Sequence, residues 1–222
     1  METFPGKLYQ RRFFSSRDII PIDSSITQRR QLMELRTLVF ENYGDHNTDP
    51  TLQIARQRAI DLGIKQVVVA SSHGGTAKKA FNVFAPLGIK VIAVSICHSW
   101  ESESWTMTEA EKEELTRLGV IVHTGIHALG DGVGAAFSEK FGGRAPEEIV
   151  RETLYRFSQG MKVAVECLLM AADAGLLDMN QEVISIAGTS SGADTAIVCK
   201  PAYPRTFLEL EIREILAKPR KP

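Results

Sequence analysis

Apolar positions fall into short unbroken runs separated by stretches with helical spacing. Val67-Val-Val-Ala, Val91-Ile-Ala-Val-Ser-Ile and Glu182-Val-Ile-Ser-Ile-Ala are nearly continuous. Runs of this kind are buried on both faces of a parallel sheet. Leu38-Val-Phe, Val120-Ile-Val-His, Thr195 to Cys199 and Phe207 to Ile215 predict further strands. Leu52, Ala55, Ala59 and Leu62 predict a helix, with Asp49 as N-cap, Pro50 at the first helical position and Gly63 closing it. Further helices are predicted over Thr76 to Ala85 and Glu109 to Leu118, the second with Thr108 and Glu111 as a capping box. Pro146-Glu-Glu opens what reads as the longest helix, ended by Gly175, and the glycine-rich stretch from Gly125 to Gly143 reads as irregular. Strands alternating with helices, with an antiparallel finish, predict an α/β fold with a doubly wound, mostly parallel mixed sheet.

Residues 35–222 form the expected domain, preceded by an arm over residues 1–34 with Arg11, Arg12, Arg17, Arg29 and Arg30. A chain of 222 residues can bury a core without disulfide or metal staples. Its 26 Lys and Arg nearly balance 27 Asp and Glu, a net charge of −1, so no general field draws it to nucleic acid or to an anionic membrane. No run reaches the about 20 apolar residues of a membrane helix. The nearest, Val163 to Leu177, contains Glu166 and Asp173. The first residues lack a signal-peptide pattern. Cys97, Cys167 and Cys199 form no CxxC pair and have apolar neighbours, which suits buried inert thiols in a reducing cytoplasm. A homo-oligomer and a monomer both remain open.

Candidate chemistry concentrates where a buried strand runs through Ser71-Ser-His-Gly-Gly-Thr directly into a helix. Free N–H groups and the helix dipole favour an anion at such a start. Gly74 and Gly75 let backbone approach a phosphate, and Ser71, Ser72 and Thr76 add hydroxyls. The plain alternative is a strand–helix turn with Ser/Thr capping, and GxxxxGK[ST] is absent. The loop Gly188-Thr-Ser-Ser-Gly-Ala-Asp-Thr repeats this chemistry after another strand. Ligands of open α/β sheets sit outside the carboxyl ends of strands, where both loops would lie. Asp194 then either accepts from a ligand or caps a helix. Gly130-Asp-Gly-Val-Gly-Ala fits GxGxxA in form only, because it does not directly follow a strand. It reads better as a loop over a ligand. Phe141 offers either a ring for a planar ligand or core packing. His98 follows a strand end and His127 sits in the glycine-rich loop, so both can reach the same sheet edge or be plain hydrogen-bonded loop histidines. No histidine makes a metal-ligand spacing, and no GxSxG elbow occurs. Lys162 and Glu166, four apart, read as a structural ion pair.

Several stretches in order carry a resemblance: Asn47-Thr, Val68-Val-Ala-Ser with Gly74 and Thr76-Ala, Gly125-Ile-His-Ala-Leu, Lys140-Phe-Gly-Gly, Ser158-Gln-Gly-Met-Lys-Val, Met170-Ala-Ala-Asp-Ala-Gly-Leu, and Gly188-Thr with Gly192-Ala-Asp-Thr-Ala. From about Leu38 onward the chain resembles stand-alone proteins built on the carboxyl-terminal α/β domain of pyruvate kinase. The resemblance implies a three-layer α/β/α domain with a five-stranded, mostly parallel mixed sheet, one strand antiparallel. It also implies flavin mononucleotide (FMN) as the cofactor. By that resemblance Ser71, Gly74 and Thr76 hold the phosphate, while Asn47, Thr48, His127, Thr189 and Asp194 surround the ribityl chain or ring. Ser72 and Gly75 join them by loop chemistry, and His98 by its place at a strand end. Pyruvate kinase activity is not implied, since a catalytic barrel takes about 250 residues. The expected function is binding of a phosphorylated small molecule, FMN first, with an FMN-dependent oxidoreductase as the alternative. Gly74→Val is expected to block the phosphate while leaving the fold largely intact.

Overall fold

The computed structural model describes residues 34–221, and the expected arm up to residue 33 lies outside the described residues. Seven strands make one sheet: β1 (Leu38–Phe40), β2 (Gln66–Ala70), β3 (Lys90–Ser95), β4 (Ile121–Thr124), β5 (Val183–Ala187), β6 (Thr195–Lys200) and β7 (Glu211–Pro219), in the order β1-β7-β6-β5-β2-β3-β4. β6 runs antiparallel to both its neighbours, and the remaining pairs are parallel. The sheet is therefore mixed with one antiparallel strand, as expected, but it has seven strands and not five. The two extra strands, β1 and β7, pair with each other at one edge. They cover β6, whose residues Thr195 to Cys199 are all buried and would otherwise present a long apolar edge.

Side chains alternate across the sheet and divide the core into two layers. Val67, Val69, Val91, Ile184 and Ile186 face one side, against α1 (Thr48–Leu62), α2 (Gly75–Phe84) and α3 (Glu109–Leu118) through Leu52, Ala55, Phe84 and Leu115. Val68, Ile92 and Ile197 face the other side, against Met161, Val165 and Leu168 of α6 (Gln159–Asp173). Continuous apolar runs follow from this double burial. Arg58 of α1 donates twice to the Glu214 carboxylate of β7, at 2.7 and 2.5 Å, which ties the added edge to the first helix.

The boundaries differ from expectation in four places. Helix α1 starts at Thr48 with Asn47 as N-cap, two residues before the expected Pro50. The glycine-rich stretch contains α4 (Val133–Phe141), because Gly132 and Gly142 flank the helix and only Gly134 lies inside it. The second strand of the antiparallel finish begins at Glu211, after a 3-10 segment over Pro204–Glu209. The long helix expected from Pro146 is two helices, α5 (Pro146–Tyr155) and α6. Ser158 makes the break. It adopts extended backbone, its hydroxyl accepts from the Met161 N–H at 2.9 Å, and it lies 3.1 Å from the Thr195 hydroxyl of β6. Two residues on, a Cβ at Gly160 would come within 2.4 Å of that same Thr195 hydroxyl, so the start of α6 requires glycine to sit this close to the sheet.

The Ser158 hydroxyl thus satisfies an otherwise orphaned helix donor in a fully buried setting. Ser158→Ala is expected to destabilise the domain by about 1–2 kcal/mol, measured by chemical denaturation.

Candidate functional site

Strands β2, β3 and β4 are added in one direction, and β5 then pairs on the opposite side of β2. Connections leave β2 and β5 in opposite senses, which opens a crevice at the carboxyl ends of these strands. A cleft of about 460 Å³ lies there, lined by Ala70 and Ser71 at the end of β2, Val94 to Ile96 at the end of β3 and Gly188 just after β5. One wall is the start of α2. The Ser71 hydroxyl accepts from the Ala77 N–H at 3.2 Å and closes the first turn. The N–H groups of Gly75 and Thr76 make no hydrogen bond among the described residues, and both residues line the cleft. No acidic side chain occupies this first turn. Gly74 plays a different part from the one expected. Its φ is +84°, and a Cβ there would meet Leu115 of α3 at 3.1 Å, in the core. A Cβ at Gly75 would meet nothing within 4 Å.

The opposite wall is α6, from the other layer. Lys162, Val163, Glu166, Cys167 and Met170 line the cleft along one helical stripe. The Lys162 ammonium donates to Glu166 Oε2 at 2.5 Å, and Glu166 Oε1 accepts from the Leu129 N–H at 3.1 Å. Both side chains are at least nine-tenths buried. Burial pushes the Cys167 thiol far above the ordinary range, so it stays protonated and is no nucleophile at neutral pH.

His127 lines the cleft from the loop after β4. Its Nε2 accepts from the Cys97 N–H at 3.2 Å, so Nδ1 carries the proton and donates it to Asp131. Trp100 Nε1 donates to the same carboxylate at 3.1 Å. These donors, His127 first, hold the Asp131 carboxyl down to about 2 against the opposing effect of burial.

The other candidates are distributed as follows. Ser71, Ser72, Gly75, Thr76 and His127 line the cleft together. Asn47, Thr48, Gly74, His98, Thr189 and Asp194 do not. His98 is exposed, 3.9 Å from Glu101. The Asn47 side chain donates to the Asn42 carbonyl at 2.8 Å, and the Thr48 hydroxyl accepts from the Ala193 N–H at 3.0 Å. Asp194 is fully buried and accepts from the Thr189 N–H at 3.0 Å and the Thr195 hydroxyl at 2.8 Å. Thr48 and Asp194 brace the β5–β6 loop, whose Gly188, Ser190, Ser191 and Gly192 are the ones at the cleft. Phe141 is exposed, away from both core layers.

The family described as pyruvate kinase, alpha/beta domain, matches residues 49–199. The chain belongs to that family. The matched residues hold β2 to β5 and all but the last residue of β6, which accounts for the five strands expected. β1 and β7 lie outside the match. Among solved structures, a Cryptosporidium parvum pyruvate kinase in complex with ADP is similar at 13% identity and a TM-score of 0.35, over 68% of this chain and 23% of that one. The chain thus spans less than a quarter of that enzyme's length.

Reasoning from residues alone missed Lys162 and Glu166 as parts of the cleft. Their signal was present: they are the only charges between Ser158 and Ala172. An i, i+4 pair usually marks a solvated face, and here nothing in the spacing showed that the helix is covered on all sides.

Two outcomes follow from this geometry. Gly74→Val is expected to destabilise the domain by about 1–3 kcal/mol, because it forces a β-branched residue to positive φ and into Leu115. Equilibrium unfolding would show it, against the earlier expectation of an intact fold. The depressed Asp131 pKa contributes stability above the ordinary carboxyl range that is lost as pH falls from about 4 toward about 2. Asp131→Asn should flatten the unfolding free energy across that window by about 1–2 kcal/mol, measured by urea titration at each pH.

Proposed function

We propose that this domain binds a phosphorylated small molecule in the cleft, and that FMN is the first candidate. One observation carries the reading: the amino terminus of a helix opens its free donors onto a cavity lined with hydroxyls. The amino terminus of α2 supplies unpaired N–H groups and the positive end of a helix dipole. The opposite wall carries the Lys162–Glu166 ion pair, one positive and one negative charge. Ser71, Ser72, Thr76, Ser190 and Ser191 add hydroxyls to the lining. This donor set fits a phosphate, and a cavity of about 460 Å³ lies within the range of small-molecule sites. FMN rests further on the sequence resemblance. When bound, it would supply hydride or single-electron chemistry, and the protein would place and tune it. The phosphate falls to Gly75 and Thr76, and His127 presents a ring of fixed tautomer.

The visible absorption spectrum tests this, taken as purified and again after FMN is added and the excess removed. Near-stoichiometric flavin bands are expected. Gly75→Val should keep the fold, since its Cβ has room, and weaken FMN binding about tenfold or more. Unchanged affinity in that variant would sink the phosphate assignment. Anaerobic addition of NADH then separates a binding module, whose flavin stays oxidised, from an oxidoreductase.

A further inference from the structure

We infer that Lys162 is a second recognition point of the cleft, and that the ligand carries a carbonyl or carboxylate oxygen remote from its phosphate. This rests on the phosphate reading above. An ammonium has three N–H donors. Lys162 gives one to Glu166 Oε2; its Nζ also lies 5.8 Å from the Tyr155 ring centroid and within electrostatic reach of the Asp131 carboxylate, without a hydrogen bond to either. Its side chain is 9% exposed. A charge so deeply buried is normally satisfied on all its donors. Two donors of Lys162 have no acceptor among the described residues, and the residue lines the cleft. Glu166 is anchored by the Leu129 N–H, so it holds the Lys162 side chain in place.

The layers decide which part of a ligand Lys162 meets. The α2 start belongs to one face of the sheet and α6 to the other. A phosphate on the Gly75 and Thr76 amides is therefore held by the wall opposite Lys162. What reaches Lys162 is another part of the same molecule, and two N–H donors on a largely buried ammonium select an oxygen with free lone pairs and partial or full negative charge. The ligand class is a phosphorylated compound with a carbonyl or carboxylate at its far end. Flavin ring carbonyls satisfy it, as do small phosphorylated acids, whereas phosphorylated polyols lack the matching group.

Calorimetric titration with phosphoglycolate and glycerol 3-phosphate tests the assignment on the wild-type domain, on Lys162→Met and on the double variant Lys162→Met with Glu166→Gln. The double variant removes both buried charges, and its amide oxygen still accepts from Leu129, so it guards against misfolding from an unpaired carboxylate. The expected result is a preference of about tenfold or more for phosphoglycolate in the wild type, abolished in both variants, with glycerol 3-phosphate affinity little changed. Equal binding of the two probes by the wild type overturns the inference and leaves the phosphate reading standing. So does a preference that survives in the variants. Equal weakening of both probes in the variants also overturns it, because Lys162 would then hold the phosphate itself. Failure of the wild type to bind either probe or FMN brings down the phosphate reading and this inference together.

Discussion

The parallel contact between β2 and β5 is the constraint on which the rest depends. β2 is hydrogen-bonded on both edges, to β3 and to β5, and its next connection must leave toward one layer while the chain returns through the other. No helix can close the gap above two strands whose connections diverge. The crevice is thus a consequence of strand order and not of any particular side chain. What the side chains decide is its chemistry. Helix α2 brings N–H groups from one layer, and α6 brings a charged pair from the other. A ligand there touches both layers, so its binding energy couples elements that otherwise share only the sheet.

The rim of the crevice is rigid for reasons that lie outside it. Asp194 and Thr48 each take a loop N–H, from Thr189 and Ala193. His127 is fixed at both ring nitrogens. Buried polar groups of this kind cost free energy unless every partner is present. Their satisfaction fixes the loops before any ligand arrives, and pre-organised loops lose little entropy on binding. Residues beside a site can therefore matter to it without lining it. Asp194 belongs to this group: its two acceptor atoms are both engaged within the loop and strand it begins.

Most of the fold was legible in the residues. Strands β2, β3, β5 and β6 existed as apolar runs, because a sheet covered on both faces leaves few polar positions to interrupt them. β7, with Glu211, Arg213, Glu214 and Lys218 and an exposed first third, begins four residues later than the sequence pattern predicts. The capping box of α3 forms as Thr108 and Glu111 foretold. Two features were hidden. Ser158 looked like one more polar residue in a long helical pattern, and only the contact with Thr195 on β6 shows why the chain breaks there. Gly74 and Gly75 are identical in sequence and opposite in role. One turns its missing side chain toward Leu115 and the other toward open space. Local propensity cannot separate them, because the difference lies in where α3 packs. The same limit hid Lys162 and Glu166, whose spacing is that of a surface pair.

That pair also bears on why the cleft is built this way. Removing two charges from water costs several kcal/mol per ion, and the attraction between them returns that only with good geometry and further hydrogen bonds. Apolar residues of similar volume would pack α6 at least as well for stability alone. Glu166 has its further hydrogen bond, to Leu129, while Lys162 has the aromatic face of Tyr155 and the open cleft. The asymmetry is informative. A pair placed for stability would be satisfied on both sides, whereas here each carboxylate oxygen has a partner and two of the three ammonium donors have none among the described residues. The carboxylate is tied to the Leu129 backbone, and the ammonium lines the cleft.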